Sequence, residues 1–186
     1  MKWNSRIRAP FGFTLLELMV VVAIVAVLLS LGAPALGRSL SLQRQRVAVQ
    51  ALFAGFNLAR REAIVRAAAV TVCPLARTGA GCGDDYRLGW QVFADPDRDQ
   101  RRAAEREPLL RVYPALPPGM IVTNRAGTRT SDEAVTWYPD GTARRTLTLQ
   151  LCDRHSRGGA AYSLVLNGVG RARIARGEGH CPGDPT

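Results

Sequence analysis

The sequence predicts an α+β chain in which one long N-terminal helix packs on a small antiparallel β-rich head, a sandwich or meander. Three observations carry this reading. Residues 18–36 contain no charged side chain, an apolar stripe at steps of three or four follows, and short β-branched or aromatic runs then alternate with turns. The whole chain has 186 residues, a formal charge of +10 and 47% hydrophobic residues, which excludes collagen, a low-complexity polymer and a disordered chain. Of the 25 Lys and Arg residues only Lys2 is lysine. A GC-rich codon supply produces the same bias.

The uncharged run LMVVVAIVAVLLSLGAPAL makes a helix of roughly 28 Å, close to the bilayer core of about 30 Å. Lys2, Arg6 and Arg8 stand ahead of it with no acid among residues 1–16, which by the positive-inside rule keeps the N-terminus cytoplasmic. A secretory signal peptide is the competing reading, and Ala33-Pro34-Ala35 has the A-x-A form of a cleavage site. Against it, the apolar stretch begins at Phe13 and exceeds the usual core of about 7–15 residues. Glu17 is the sharper objection, because a carboxylate near the membrane is costly and marks a function or a partner.

The segment Gly12-Phe13-Thr14-Leu15-Leu16-Glu17 ahead of the apolar run resembles the class III leader of type IV pilins and type II secretion pseudopilins. The resemblance implies cleavage between Gly12 and Phe13 by the membrane prepilin peptidase, with N-methylation of Phe13. It further implies that Glu17, the fifth mature residue, pairs with the N-terminal amine of a neighbouring subunit. Pro34 falls where pilins carry a helix-kinking proline. The implied organisation is a leader over 1–12, a transmembrane helix half over 13–37, an amphipathic periplasmic half over 38–67 and a β-rich periplasmic head over 68–186. Losing Lys2, Arg6 and Arg8 with the leader removes three of the ten net positive charges and leaves +7.

Beyond Gly37 the stripe Val49, Phe53, Phe56, Ala59, Ala63 and Ala67 recurs on one helix face, with Arg60, Arg61 and Arg66 mostly off it. This is a packing face. The head is expected to hold strands at 69–74, 88–94, 109–113, 120–123, 134–138, 146–152, 162–166 and 171–174. Pro139-Asp140-Gly141 is a turn, its proline fixing φ and its glycine allowing positive φ.

Cys73, Cys82, Cys152 and Cys181 all follow the membrane segment, and an even count in an oxidising compartment suggests two disulfides. Three pairings are possible. The nearest-neighbour choice, Cys73–Cys82 and Cys152–Cys181, closes loops worth about 3 and 3.5 kcal/mol. Zinc held by Cys152, His155, His180 and Cys181 is a competing reading with an unusual spacing.

Within the head, Gly89-Trp90-Gln91-Val92-Phe93 with Asp95, Asp97 and Asp99, then Glu107-Pro108-Leu109-Leu110-Arg111, resembles minor pseudopilins of the FimT and GspH type. Trp137-Tyr138-Pro139-Asp140-Gly141, Leu149-Gln150-Leu151-Cys152 and Gly170-Arg171-Ala172-Arg173 agree with it. The resemblance implies other major and minor pilins or pseudopilins as partners, residence in the bacterial inner membrane and incorporation into a pilus or pseudopilus. Asp95 to Asp99 also mimics the start of an EF-hand loop. Gln100 stands where that loop needs glycine and Arg106 where it needs glutamate, so an acidic surface turn is expected instead, with no metal. No phosphate loop, nucleophile elbow or other catalytic constellation is present in the sequence, and neither enzyme activity nor a cofactor is expected.

In FimT-like minor pilins a G-R-x-R segment near the C-terminus carries DNA binding, and here it reads Gly170-Arg171-Ala172-Arg173, with Arg176 after it. On a strand Arg171 and Arg173 share a face, and their guanidinium forks suit phosphate oxygens of double-stranded DNA. The competing reading is a GspH-like pseudopilin of type II secretion, whose arginines are a solvated face or a subunit contact.

Overall fold

The computed structural model describes residues 14–78, 81–154 and 162–182. Helix α1 runs Leu15–Arg66. Thr14 caps it: its Oγ1 accepts the backbone N–H of Glu17 at 3.2 Å, and its carbonyl accepts that of Leu18. Thr14-x-x-Glu17 is thus the threonine half of a capping box, and it places an acid in the first turn beside unpaired N–H groups. At the other end Ala67 takes φ 50 and is exposed, so the helix stops one residue before the stripe predicts. A left-handed residue is the usual way to end a helix, although alanine is a poor substitute for glycine there.

The chain divides into two compact units, residues 1–39 and 40–186. In the first, Leu15–Gly32 is long and apolar enough to cross a membrane, and none of it is buried.

The second unit has one core. From α1 it takes Ala48, Val49, Leu52, Phe56, Ala59 and Ala63, all buried. Leu52 completes the ridge between Val49 and Phe56, whereas Phe53 sits at its half-buried margin. Two four-stranded antiparallel sheets share this core. The first has the order β3-β2-β1-β5, built from β1 (Val70–Pro74), β2 (Trp90–Ala94), β3 (Leu109–Tyr113) and β5 (Val135–Trp137). The second has the order β4-β6-β7-β8, built from β4 (Met120–Thr123), β6 (Leu147–Asp153), β7 (Tyr162–Leu166) and β8 (Ala172–Arg176). Each strand is found where its β-branched or aromatic run predicts, with ends moved by one or two residues.

Aromatic contacts fix the helix on the first sheet. Phe56 meets Trp137 edge-on at 5.1 Å between centroids, and Trp90 stacks on Tyr113 at 5.0 Å. Burying one such side chain stabilises by about 1.5–3 kcal/mol, and an aromatic pair adds about 0.5–1.5. Polar ties reinforce the packing at both ends of the helix half. The Arg60 Nε donates to the Gly141 carbonyl at 3.0 Å, and Ser41 Oγ donates to Asp153 at 2.6 Å.

The faces of the first sheet turned from the core are also covered. Thr71, Gln91, Phe93 and Thr136 are buried there although no α-helix of the described residues lies over them. The segment between β2 and β3 provides part of that cover, since Asp95 and Gln100 bond to Thr71 and Thr136.

Candidate functional site

Three candidate regions can be built from the residues upward. The leader residues Gly12 and Phe13 lie outside the described residues. Glu17 is described, exposed on the first turn of α1.

The second region is the free edge of the second sheet. Asn167-Gly168-Val169-Gly170 turns β7 into β8: the Asn167 carbonyl accepts from Gly170 N–H, and its Oδ1 accepts from Arg171 N–H at 2.8 Å. Gly170 adopts φ +75 and its carbonyl accepts from Trp137 Nε1 at 3.0 Å. A Cβ there would strike the Gly141 carbonyl, so glycine is required by the turn itself. Antiparallel pairing sets Arg173 opposite Val165 and Ile174 opposite Leu164, which is buried in the core. Arg173 therefore points outward, whereas Arg171 falls in the turn just ahead of β8, which starts one residue later than expected; both are exposed. Arg176 is out of phase with Arg173 and lies over the Tyr162 ring at 5.4 Å, so it does not join that face.

One partner was not legible in the sequence. Both oxygens of Glu178 accept from the Arg173 fork, at 2.8 and 2.7 Å. That bond raises the arginine's pKa and lowers the glutamate's, the same conclusion from both sides. Arg171, by contrast, forms no ion pair among the described residues.

The tail that carries Glu178 is pinned. Cys152 and Cys181 form a disulfide, His180 N–H donates to the Arg125 carbonyl, and Gly179 lies against Gln150. Cys73 and Cys82 form the other disulfide, so the nearest-neighbour pairing holds in both cases. Oxidised Cys152 and Cys181 cannot be zinc thiolates, which removes that reading; His155 lies outside the described residues.

The third region follows β2. Asp95, Asp97, Asp99 and Glu107 each bring a carboxylate oxygen within 4.8 Å of the others. Asp97 and Asp99 are exposed, as a surface turn requires, but Asp95 is 0% exposed and Glu107 2%. The surface-turn expectation, which covered Asp95 to Asp99, is corrected for Asp95; Glu107, outside that turn, is buried beside it. Burial foremost pushes both acids above the ordinary carboxylate range, and the neighbouring Asp97 adds to the effect.

Comparison with known proteins gives two family-model matches. The model described as "Type II transport protein GspH" matches residues 48–170, and that of the "Prokaryotic N-terminal methylation motif" matches residues 8–33. The first match runs from the core ridge to Gly170 and ends one residue before Arg171. No protein of curated function matches the chain. Among solved structures, the type IV minor pilin FimU of Pseudomonas aeruginosa is similar with a TM-score of 0.58 at 18% identity, covering 77% of this chain and 96% of that one. The minor pseudopilin EpsH from the Type 2 Secretion System of Vibrio cholerae is similar with a TM-score of 0.51 at 11% identity, covering 72% and 97%. Both likenesses are of fold.

Proposed function

Since the chain belongs to the GspH family of minor pilins and pseudopilins, we propose that it is a non-catalytic fibre subunit that also holds double-stranded DNA without sequence preference. In this reading prepilin peptidase cuts after Gly12 and Phe13 becomes the methylated N-terminus. The apolar helix crosses the inner membrane once, the N-terminus is cytoplasmic and the head periplasmic. Glu17 then pairs with the amine of a neighbouring pilin or pseudopilin as the subunit leaves the bilayer for the fibre. The unburied apolar helix over Leu15–Gly32 supports this, because such a surface needs lipid or other helices around it.

The DNA contact rests on one observation. Arg173 stands outward and exposed on the edge strand β8, and exposed Arg171 immediately precedes that strand. Guanidinium forks bind phosphate oxygens bidentately, and such contacts position a duplex without reading it. Affinity in the non-specific range of about 10⁻⁴–10⁻⁶ M follows at physiological salt.

A second reading has its own observation. Glu178 already occupies the Arg173 fork, as expected of a solvated, internally neutralised face on a purely structural pseudopilin of type II secretion. A mobility-shift experiment separates the two. Purified full chain in detergent is compared with its Arg171→Ala/Arg173→Ala variant at about 150 mM salt. Loss of retardation in the variant supports DNA binding; equal retention of DNA by both proteins rejects it and leaves the structural role.

A further inference from the structure

We propose that Asp95, Asp97, Asp99 and Glu107 form a divalent-cation site whose ion is Ca²⁺. The site sits between β2 and β3, on the side of the first sheet turned from the core. Its four carboxylate oxygens lie within 4.8 Å of one another. That is the largest separation two ligands can have when both are about 2.4 Å from one ion, a Ca²⁺–oxygen distance. Clustered acids alone would prove nothing. The further observation concerns the two that are buried. Asp95 Oδ1 and Glu107 Oε1 are enclosed and accept no hydrogen bond among the described residues, the Gln100 backbone N–H being the one further donor near the Asp95 carboxyl. Neither acid takes part in an ion pair among those residues. What they do face is the carboxylate of Asp97, which stands against both. An enclosed anion without a donor is costly, and two of them facing a third call for a cation.

The remaining oxygens are held in place by the fold. Thr71 Oγ1 donates to Asp95 Oδ2, so its hydroxyl proton is spent. Thr136 must then donate to Thr71, while Gln100 Nε2 donates to Thr136 at 3.0 Å. This chain of donors ends on Asp95 and suits its ionised form. Glu107 Oε2 accepts from Ala103 N–H at 2.7 Å, which leaves Oε1 turned to the other acids.

Both objections raised against an EF-hand loop are met differently here. Gln100 adopts φ 64, the left-handed conformation for which the EF-hand uses glycine. The carboxylate missing at Arg106 is supplied by the next residue, Glu107. The loop joins two strands, so it is not an EF-hand. An all-oxygen donor set suits a hard cation and disfavours zinc or copper. Asp97 and Asp99, on the solvent side, leave room for water to complete the six to eight ligands of Ca²⁺.

The test uses the full chain in detergent, stripped with chelator and titrated with CaCl₂ by calorimetry. One ion should bind with a Kd of about 10⁻⁵–10⁻³ M. Asp97→Asn and Glu107→Gln should each weaken binding at least about tenfold, since even the outer-shell partners of a metal's ligands typically cost about 10–100-fold when mutated. Glu105→Gln, an exposed acid outside the cluster, should not change it. Thermal melts guard against a variant that merely misfolds. With chelator, Asp97→Asn should melt above the wild type, because a repelling charge is gone; with about 5 mM CaCl₂ the order should reverse. A wild type that neither binds nor shifts in CaCl₂ overturns the proposal, as does undiminished binding by Asp97→Asn and Glu107→Gln. An equal response to MgCl₂ overturns the choice of ion.

Discussion

If the outward face of β8 holds DNA, Glu178 competes with it, and Glu178→Gln should strengthen binding. The magnitude follows from the charge count. Each phosphate neutralised on duplex DNA contributes about 0.9 to the slope of log K against log salt. Arg171 forms no ion pair among the described residues and contributes fully, whereas the Arg173–Glu178 pair is electrically neutral and releases no counterion. This patch should therefore give a slope of about −0.9 in the wild type and about −1.8 in Glu178→Gln. Between 50 and 200 mM salt those slopes correspond to losses of about 3.5-fold and about 12-fold. Arg171→Ala should flatten the wild-type slope by about 0.9. Arg173→Ala frees the Glu178 carboxylate, lowers the net charge of the patch by one and should also weaken binding, whereas Arg173→Ala/Glu178→Gln should return to the wild-type slope. Fluorescence anisotropy of a labelled duplex, read at several salt concentrations, supplies these slopes. A slope unchanged by Glu178→Gln, or one not restored in the double variant, would refute the reasoning.

Further outcomes can be stated briefly. Cys152→Ser/Cys181→Ser opens a loop of sequence separation 29 and should cost about 3.5 kcal/mol in urea denaturation. Phe56→Ala removes a fully buried ring from its edge contact with Trp137 and should cost about 3–5 kcal/mol by the same measurement. Mass spectrometry of the mature chain should find N-methylated Phe13 at the N-terminus; a start at Leu36 would establish a signal peptide instead.

Much of the fold was legible because its signals are local. Strand residues announce themselves by β-branched and aromatic runs, and the helix ridge by its spacing. The disulfide pairing was a choice among three, settled only by the proximity of β6 to the tail. What escaped the sequence was long-range. Glu178 reaches Arg173 because the tail folds back after β8, and nothing five residues away in sequence foretells that. Asp95 and Glu107 look like surface acids among their charged neighbours, yet the sheet beneath buries them. Arg176 follows Arg171 and Arg173 in sequence, but strand parity sends it to the opposite face. Thr14 and Glu17 carried a readable capping signal that the leader motif overshadowed.

The ridge on α1 has a consequence for the order in which the chain acquires structure. Val49, Leu52 and Phe56 leave the ribosome early, but the surfaces they pack on come from Val70 through Leu166. Ser41 waits for Asp153, and Arg60 for Gly141. Helix α1 is thus among the last elements to be fully covered, and β8 and Cys181 complete the domain after every other strand. Such distant closure is slow compared with helix formation. The nascent head therefore stays incompletely packed, and its apolar ridge uncovered, until Cys181 has joined it.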